Sequence, residues 1–114
     1  MGRVGQKEFR RRLLERFGPV CTFTGPQPAG SLHAAHVSPF AKNPRHVLAG
    51  GLLLRADLHA LFDRGLITID EHLKVRIDDS LRPFREISCL DGSTLRINPK
   101  DPLLPILRAL LEGD

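Results

Sequence analysis

The stretch Gly51 to Gly65, GLLLRADLHALFDRG, constrains the fold most tightly, because a strand, a helix start and a helix stop follow one another with no linker. The apolar run from Leu48 to Leu54 is short enough for a buried strand, and no apolar run in the chain approaches the roughly 18 residues that crossing a bilayer needs. Asp57 suits the N-cap of the next element, since its carboxylate can accept from the free amides of a first turn and favours the positive end of the helix dipole. A short helix is therefore expected from about Leu58 to Gly65. On it, His59 and Asp63 stand four residues apart, which puts both on one face where they can reach a single cation. By itself this spacing is ambiguous, because His and Asp one turn apart more often make an ordinary hydrogen bond.

Upstream, Val20 to Thr24 reads as a β-prone run ending at Gly25-Pro26, and Leu32 to Val37 can be extended until Pro39 interrupts it. A polar, proline-broken loop from Ser38 to about Val47 separates that strand from the next. His33 and His36 lie on the strand, where a strand, loop, strand and helix can bring an imidazole opposite a helix-borne metal site. Neutral imidazole is a competent general base near neutral pH, and a divalent cation facing it can neutralise a phosphate and stabilise a departing oxyanion.

Downstream, Leu66 to Ile69 and Leu73 to Ile77 alternate around Asp70-Glu71-His72 as a hairpin. A basic, proline-containing stretch, a turn at Leu90 to Ser93, a strand at Thr94 to Ile97 and a closing helix from Leu103 to Leu111 complete the chain. At the other end, Phe9, Leu13, Leu14 and Phe17 recur at helical spacing, and six basic residues against two acidic ones between Met1 and Phe17 carry the whole formal charge of +4. Guanidinium groups on such a face are either simply solvated or suit phosphate contacts.

At 114 residues the chain is read as one domain, 1–114, able to bury a modest core without covalent staples. Cys21 and Cys89 are too few for a disulfide framework, and neither belongs to a C-x-x-C pair, so both are read as ordinary thiols rather than zinc ligands. No charged-then-apolar leader opens the sequence, and a cytoplasmic location is the expectation. The absence of Trp and Tyr argues against an aromatic cage or stacking platform.

Leu32-His33-Ala34-Ala35-His36-Val37-Ser38-Pro39-Phe40, together with Gly51 through Ile67, resembles the HNH endonuclease family, in particular a branch with an AAH-x-x-P and NGLLLRADxHxLFDxGLI signature. The resemblance runs from about Arg3 to about Leu110. It implies an α+β fold with a ββα-metal core over 20–65, preceded by a basic N-terminal helix over 1–18 and followed by a hairpin and C-terminal helix over 66–114. The activity it implies is hydrolysis of phosphodiester bonds in DNA, with His36 as general base and with His59 and Asp63 on a divalent ion, Mg²⁺ or Mn²⁺ first, Zn²⁺ or Ni²⁺ as alternatives. Arg55, Arg64, Arg10 and Arg11 are the candidate phosphate contacts. A homodimer would be needed to cut both strands together, and a separate DNA-recognition module is a second expected partner; no membrane association is expected.

Two positions depart from the family pattern. The middle asparagine, nine residues before the last histidine, falls on Gly50; that residue normally braces the loop holding the general base. Its loss is the ground for the alternative reading, a catalytically degenerate nucleic-acid-binding module. Ala35 stands where many members place a metal ligand directly before the base. His33 shares the strand face of Ala35 and is a candidate replacement, but it lies about 6.6 Å further along and needs a bend to reach the ion. A surface histidine is the ordinary reading for His33, as it is for His46 and His72.

Overall fold

Two pairing strands rich in apolar residues occupy the centre, and the way they are buried explains where everything else packs. The computed structural model describes residues 2–36, 51–101 and 103–112. In chain order these form α1 (Gly2–Phe17), β1 (Val20–Cys21), β2 (Gly25–Pro26), a 3-10 turn (Ala29–Ser31), β3 (Leu32–His36), β4 (Gly51–Arg55), α2 (Ala56–Asp63), β5 (Ile67–Ile69), β6 (Val75–Ile77), a second 3-10 turn (Asp79–Leu81), α3 (Arg85–Ser88) and α4 (Leu103–Glu112). The architecture is mixed α/β, with three separate antiparallel pairs, β1-β2, β3-β4 and β5-β6. No helix among the described residues is long and apolar enough to cross a membrane.

Leu52, Leu53 and Leu54 are all fully buried, so β4 is covered on both faces although, among the described residues, β3 is its only partner in the sheet. The register pairs Leu32 with Arg55 and His36 with Gly51. Directly opposed residues share a face, so His36, Ala34, Gly51 and Leu53 look one way while His33, Ala35, Leu52 and Leu54 look the other. α1 covers the first face: a Cβ on Gly51 would fall 2.6 Å from Phe9 Cζ, and Phe9 and Leu13 are themselves buried. α2 covers the second. The β1-β2 knuckle runs along the free edge of β4, where Thr22 N–H donates to Leu53 O at 2.8 Å, and its fully buried Phe23 meets the Phe62 ring edge to face at 5.9 Å.

α2 begins two residues earlier than the sequence suggests. Asp57 is not the N-cap but sits inside the first turn, where its Oδ1 accepts from Leu58 N–H at 3.0 Å and pairs with Arg55; the cap position is Arg55, whose side chain makes no capping bond. The stop is as expected. Gly65 at φ +75° donates to Phe62 O and Leu66 donates to Leu61 O, each at 3.0 Å, the paired bonds of a left-handed C-terminal cap.

Gly25-Pro26 does not merely end a strand; it is the return strand of the knuckle, opposite Val20 and Cys21. Thr94 to Ile97 is not a strand but a single bridge, Lys74 to Thr94, because Arg96 N–H turns away to Thr22 O at 2.8 Å. The hairpin is held by Asp70, whose Oδ1 accepts from His72 N–H and Lys74 N–H at 2.8 and 2.9 Å. Val37 and the loop expected after it, with Asn43, His46, the first residues of the Leu48 run and Gly50, lie outside the described residues.

Leu53→Ala should cost about 2–5 kcal/mol, the range for emptying a buried leucine site. Phe84, at 58 % exposed, should tolerate alanine with a change within about 0.5 kcal/mol. Urea unfolding of the two variants beside the starting protein measures both.

Candidate functional site

Because side chains alternate along β3, His33 and His36 leave it on opposite faces. His33 meets α2: its Nδ1 lies 3.0 Å from His59 Nδ1, with the two rings nearly perpendicular at 89°. His59 Nε2 in turn lies 3.1 Å from Asp63 Oδ2, the contact that the one-turn spacing on α2 provides. His36 is half-buried and stacks flat on Phe9 of α1, ring centres 4.5 Å apart and planes 8° from parallel. Arg10, His33, Ala34 and His59 line an open cleft of about 200 Å³.

Burial is the largest influence on His59 and holds its pKa below the ordinary histidine range; Asp63 opposes that shift, while positive charge on His33 and His36 would add to it. A neutral imidazole carries one ring N–H and one ring lone pair, and His59 presents Nδ1 to His33 and Nε2 to Asp63. Asp63 therefore does not share the side of the ring that faces His33. The one-turn spacing brings His59 Nε2 and Asp63 Oδ2 within 3.1 Å of each other.

The donors that converge are two ring nitrogens. Two nitrogens on one divalent ion at about 2.0–2.1 Å sit roughly 2.9–3.4 Å apart for coordination angles between octahedral and tetrahedral, and the 3.0 Å between His33 and His59 falls in that span. Among the described residues no group of three or more His, Cys, Asp or Glu side chains converges on one point, so such an ion would complete its shell with solvent or substrate oxygens. The pair fits a cation as an open, two-donor site.

The arginines differ in what they have left to offer. Arg10 is anchored on the cleft wall by Nε to Leu32 O at 3.0 Å and Nη2 to Ala29 O at 2.5 Å, and its remaining N–H groups are not used by those bonds. Arg11 pairs with both Glu8 and Glu15, and Arg12 with Glu8 at 3.1 Å; hydrogen bonds from the two arginines pull the Glu8 carboxyl down to about 2. Arg16 pairs with Asp101, and Arg55 with Asp57 at 2.7 Å. Arg64 is exposed at the end of α2. Three arginines of α1, Arg11, Arg12 and Arg16, are thus engaged by carboxylates. Cys21 is a buried thiol whose sulfur accepts from Arg55 N–H at 3.4 Å, Cys89 is exposed, and His72 is an exposed turn residue.

Sequence reasoning did not find the Phe9–His36 stack. Phe9 carried only the signal of a helical apolar stripe, and nothing in that stripe says which residue of the sheet it meets.

An antiparallel strand pair leads straight into a short helix, and an imidazole from each meets the other in a cleft. Residues 21–70 match the family model described as HNH endonuclease. The matching segment runs from the knuckle through β3, β4 and α2 to the end of β5; α1 and the tail from β6 onward lie outside it. No curated protein matches the chain.

The lowered His59 pKa fixes the sign of a stability effect. The unfolded chain protonates this group more readily than the folded one, so the stabilisation is fully present above the ordinary value of 6.5 and is lost as pH falls below it. In chelator-treated buffer, the urea midpoint should drop between neutral and mildly acidic pH, and His59→Gln should flatten that part of the profile.

Proposed function

We propose that this protein is a metal-dependent endonuclease that hydrolyses phosphodiester bonds in DNA, with His36 as general base and with His33 and His59 holding the cation. The observation that carries the reading is the meeting of the His33 and His59 Nδ1 atoms at 3.0 Å within the segment that matches the HNH endonuclease family model. In this reading Asp63 fixes the ring and tautomer of His59 rather than ligating the ion. A donor pair made only of imidazole nitrogens favours Mn²⁺, Ni²⁺ or Zn²⁺ over Mg²⁺, which prefers oxygen ligands.

When bound, the cation would neutralise charge on the scissile phosphate and on the departing oxyanion. His36 leaves β3 on the other face from His33, but at the strand's end it stands near enough to His59 for its charge to act on that ring; in this reading it removes a proton from the attacking water, and the water oxygen bonds to phosphorus as the P–O bond to the leaving group breaks. In this reading Arg10, on the cleft wall, and Arg64, exposed at the end of α2, hold backbone phosphates, whereas Arg11 and Arg55 are engaged by carboxylates. Such contacts position a strand without reading its sequence.

The second reading is a binding module of the same fold without turnover. It is favoured by Gly50 at the motif asparagine and by the lack of a third convergent ligand among the described residues.

Supercoiled plasmid incubated with Mn²⁺, Ni²⁺, Zn²⁺, Mg²⁺ or EDTA separates the two. Metal-dependent cutting is expected, fastest with a nitrogen-preferring ion, with His36→Ala slower by about 10²–10⁴-fold, the usual contribution of a positioned general base. Asp63→Asn should weaken metal affinity by about 10–100-fold, the range for an orienting partner behind a ligand. Cutting that survives His36→Ala would remove His36 from the base role; binding without cutting under every metal would leave the module.

Phosphate contact makes a separate prediction. Arg64→Ala and Arg10→Gln should each reduce the salt dependence of DNA binding by about one phosphate contact, and Arg11→Gln by much less, as read from log Kd against log salt concentration.

A further inference from the structure

α1 lies outside the segment that matches the family, yet it contributes a wall of the cleft and touches His36, the assigned base. The Phe9 ring lies parallel to the His36 imidazole at 4.5 Å and 8°, and Phe9 is 4 % exposed, so its plane is fixed by packing. The strand register sets His36 directly opposite Gly51. Only a residue without a side chain leaves the ring its place: a Cβ at position 51 would lie 2.6 and 2.7 Å from Phe9 Cζ and Cε1 and 3.1 Å from Leu13 Cδ1. Three separate features, the stack, the register and the glycine, therefore converge on one imidazole at the end of β3.

We propose that Phe9 is a positioning residue for His36: its ring, seated in the gap that Gly51 leaves, holds the imidazole plane in the attitude the base needs. The inference rests on the nuclease reading, and it assigns to α1 a part in the reaction. An unstacked His36 at the last residue of β3 has its side-chain rotation free, and each misplaced orientation is one from which the proton of water is out of reach. Stacking against a buried aromatic face restricts that rotation through the ring face rather than through a bond to either ring nitrogen. A polar brace would instead occupy one nitrogen and select a tautomer. Phe9 orients without doing so.

Phe9→Leu keeps an apolar side chain in the core but removes the flat surface; Gly51→Ala keeps the ring and forces it off its seat. Both are compared with the starting protein and His36→Ala after thermal melts establish which variants remain folded. In the starting protein the His36 ring-proton resonances should be shifted upfield relative to those of exposed His72, through the ring current of the stacked Phe9. In Phe9→Leu they should move to the exposed position. In metal-dependent plasmid cleavage, kcat should fall by about 10²-fold in Phe9→Leu, the scale of loss from misplacing a reacting group, with KM nearly unchanged because no substrate contact is removed. Gly51→Ala should lower kcat in the same direction and shift the same resonances.

A folded Phe9→Leu that cuts at the starting rate, while His36→Ala is inactive, overturns the positioning role and leaves the nuclease reading intact. Unchanged His36 resonances in folded Phe9→Leu overturn the stack itself. A starting protein that cuts DNA with none of the metals overturns both the nuclease reading and the positioning role of Phe9, even where the resonances show the stack.

Discussion

The register of β3 against β4 is the constraint on which the remaining structure depends. Pairing His36 with Gly51 and Leu32 with Arg55 decides which residues look toward α1 and which toward α2, and a slip by one residue would exchange the two sets. With the observed register, His33 is delivered to His59, and His36 is delivered to Phe9. The register is enforced by burial on both faces. Leu53 and Gly51 face α1, Leu52 and Leu54 face α2, and all are buried, so neither face of β4 can be exchanged for solvent.

That double burial explains how a two-stranded ribbon can support a site at all, since an isolated pair of short strands is marginal in water. α1 and α2 act as its missing layers, and the knuckle covers the outer edge through the Thr22 to Leu53 bond. Arg10 bonds two backbone carbonyls, of Leu32 and Ala29, fastening α1 to the start of β3. α1 is thereby both a structural layer and a wall of the cleft, which gives its arginines unequal roles: Arg10 faces the histidines, while Arg11 and Arg12 are held by Glu8.

Local signals carried much of this in the sequence. The helix stop at Gly65, the hairpin around Asp70 and the α1 stripe follow from glycine conformation, alternation and helical spacing, and each lies where those rules put it. Asp57 shows the limit of a local rule, because a good capping residue two places past the cap also serves as a first-turn anion, and Arg55 draws it into an ion pair. The strand expected at Thr94 fails for a different reason: the Arg96 amide is claimed by a distant partner, Thr22, which no window of sequence contains. Site chemistry was legible as residue types and spacing but not as pairing. Spacing made Asp63 a candidate ligand and His33 a doubtful one; tertiary placement sets Asp63 behind His59 and His33 in front of it.

The central claim is that His33 and His59 together hold a divalent cation. Titrating Mn²⁺ into the protein while following histidine ring resonances tests it most directly, because the paramagnetic ion broadens nearby nuclei first. The ring signals of His33 and His59 are predicted to broaden together at the lowest Mn²⁺ while those of His72 persist, and His33→Ala to weaken the effect at His59. Broadening at the exposed carboxylates with His33 and His59 untouched would contradict the claim.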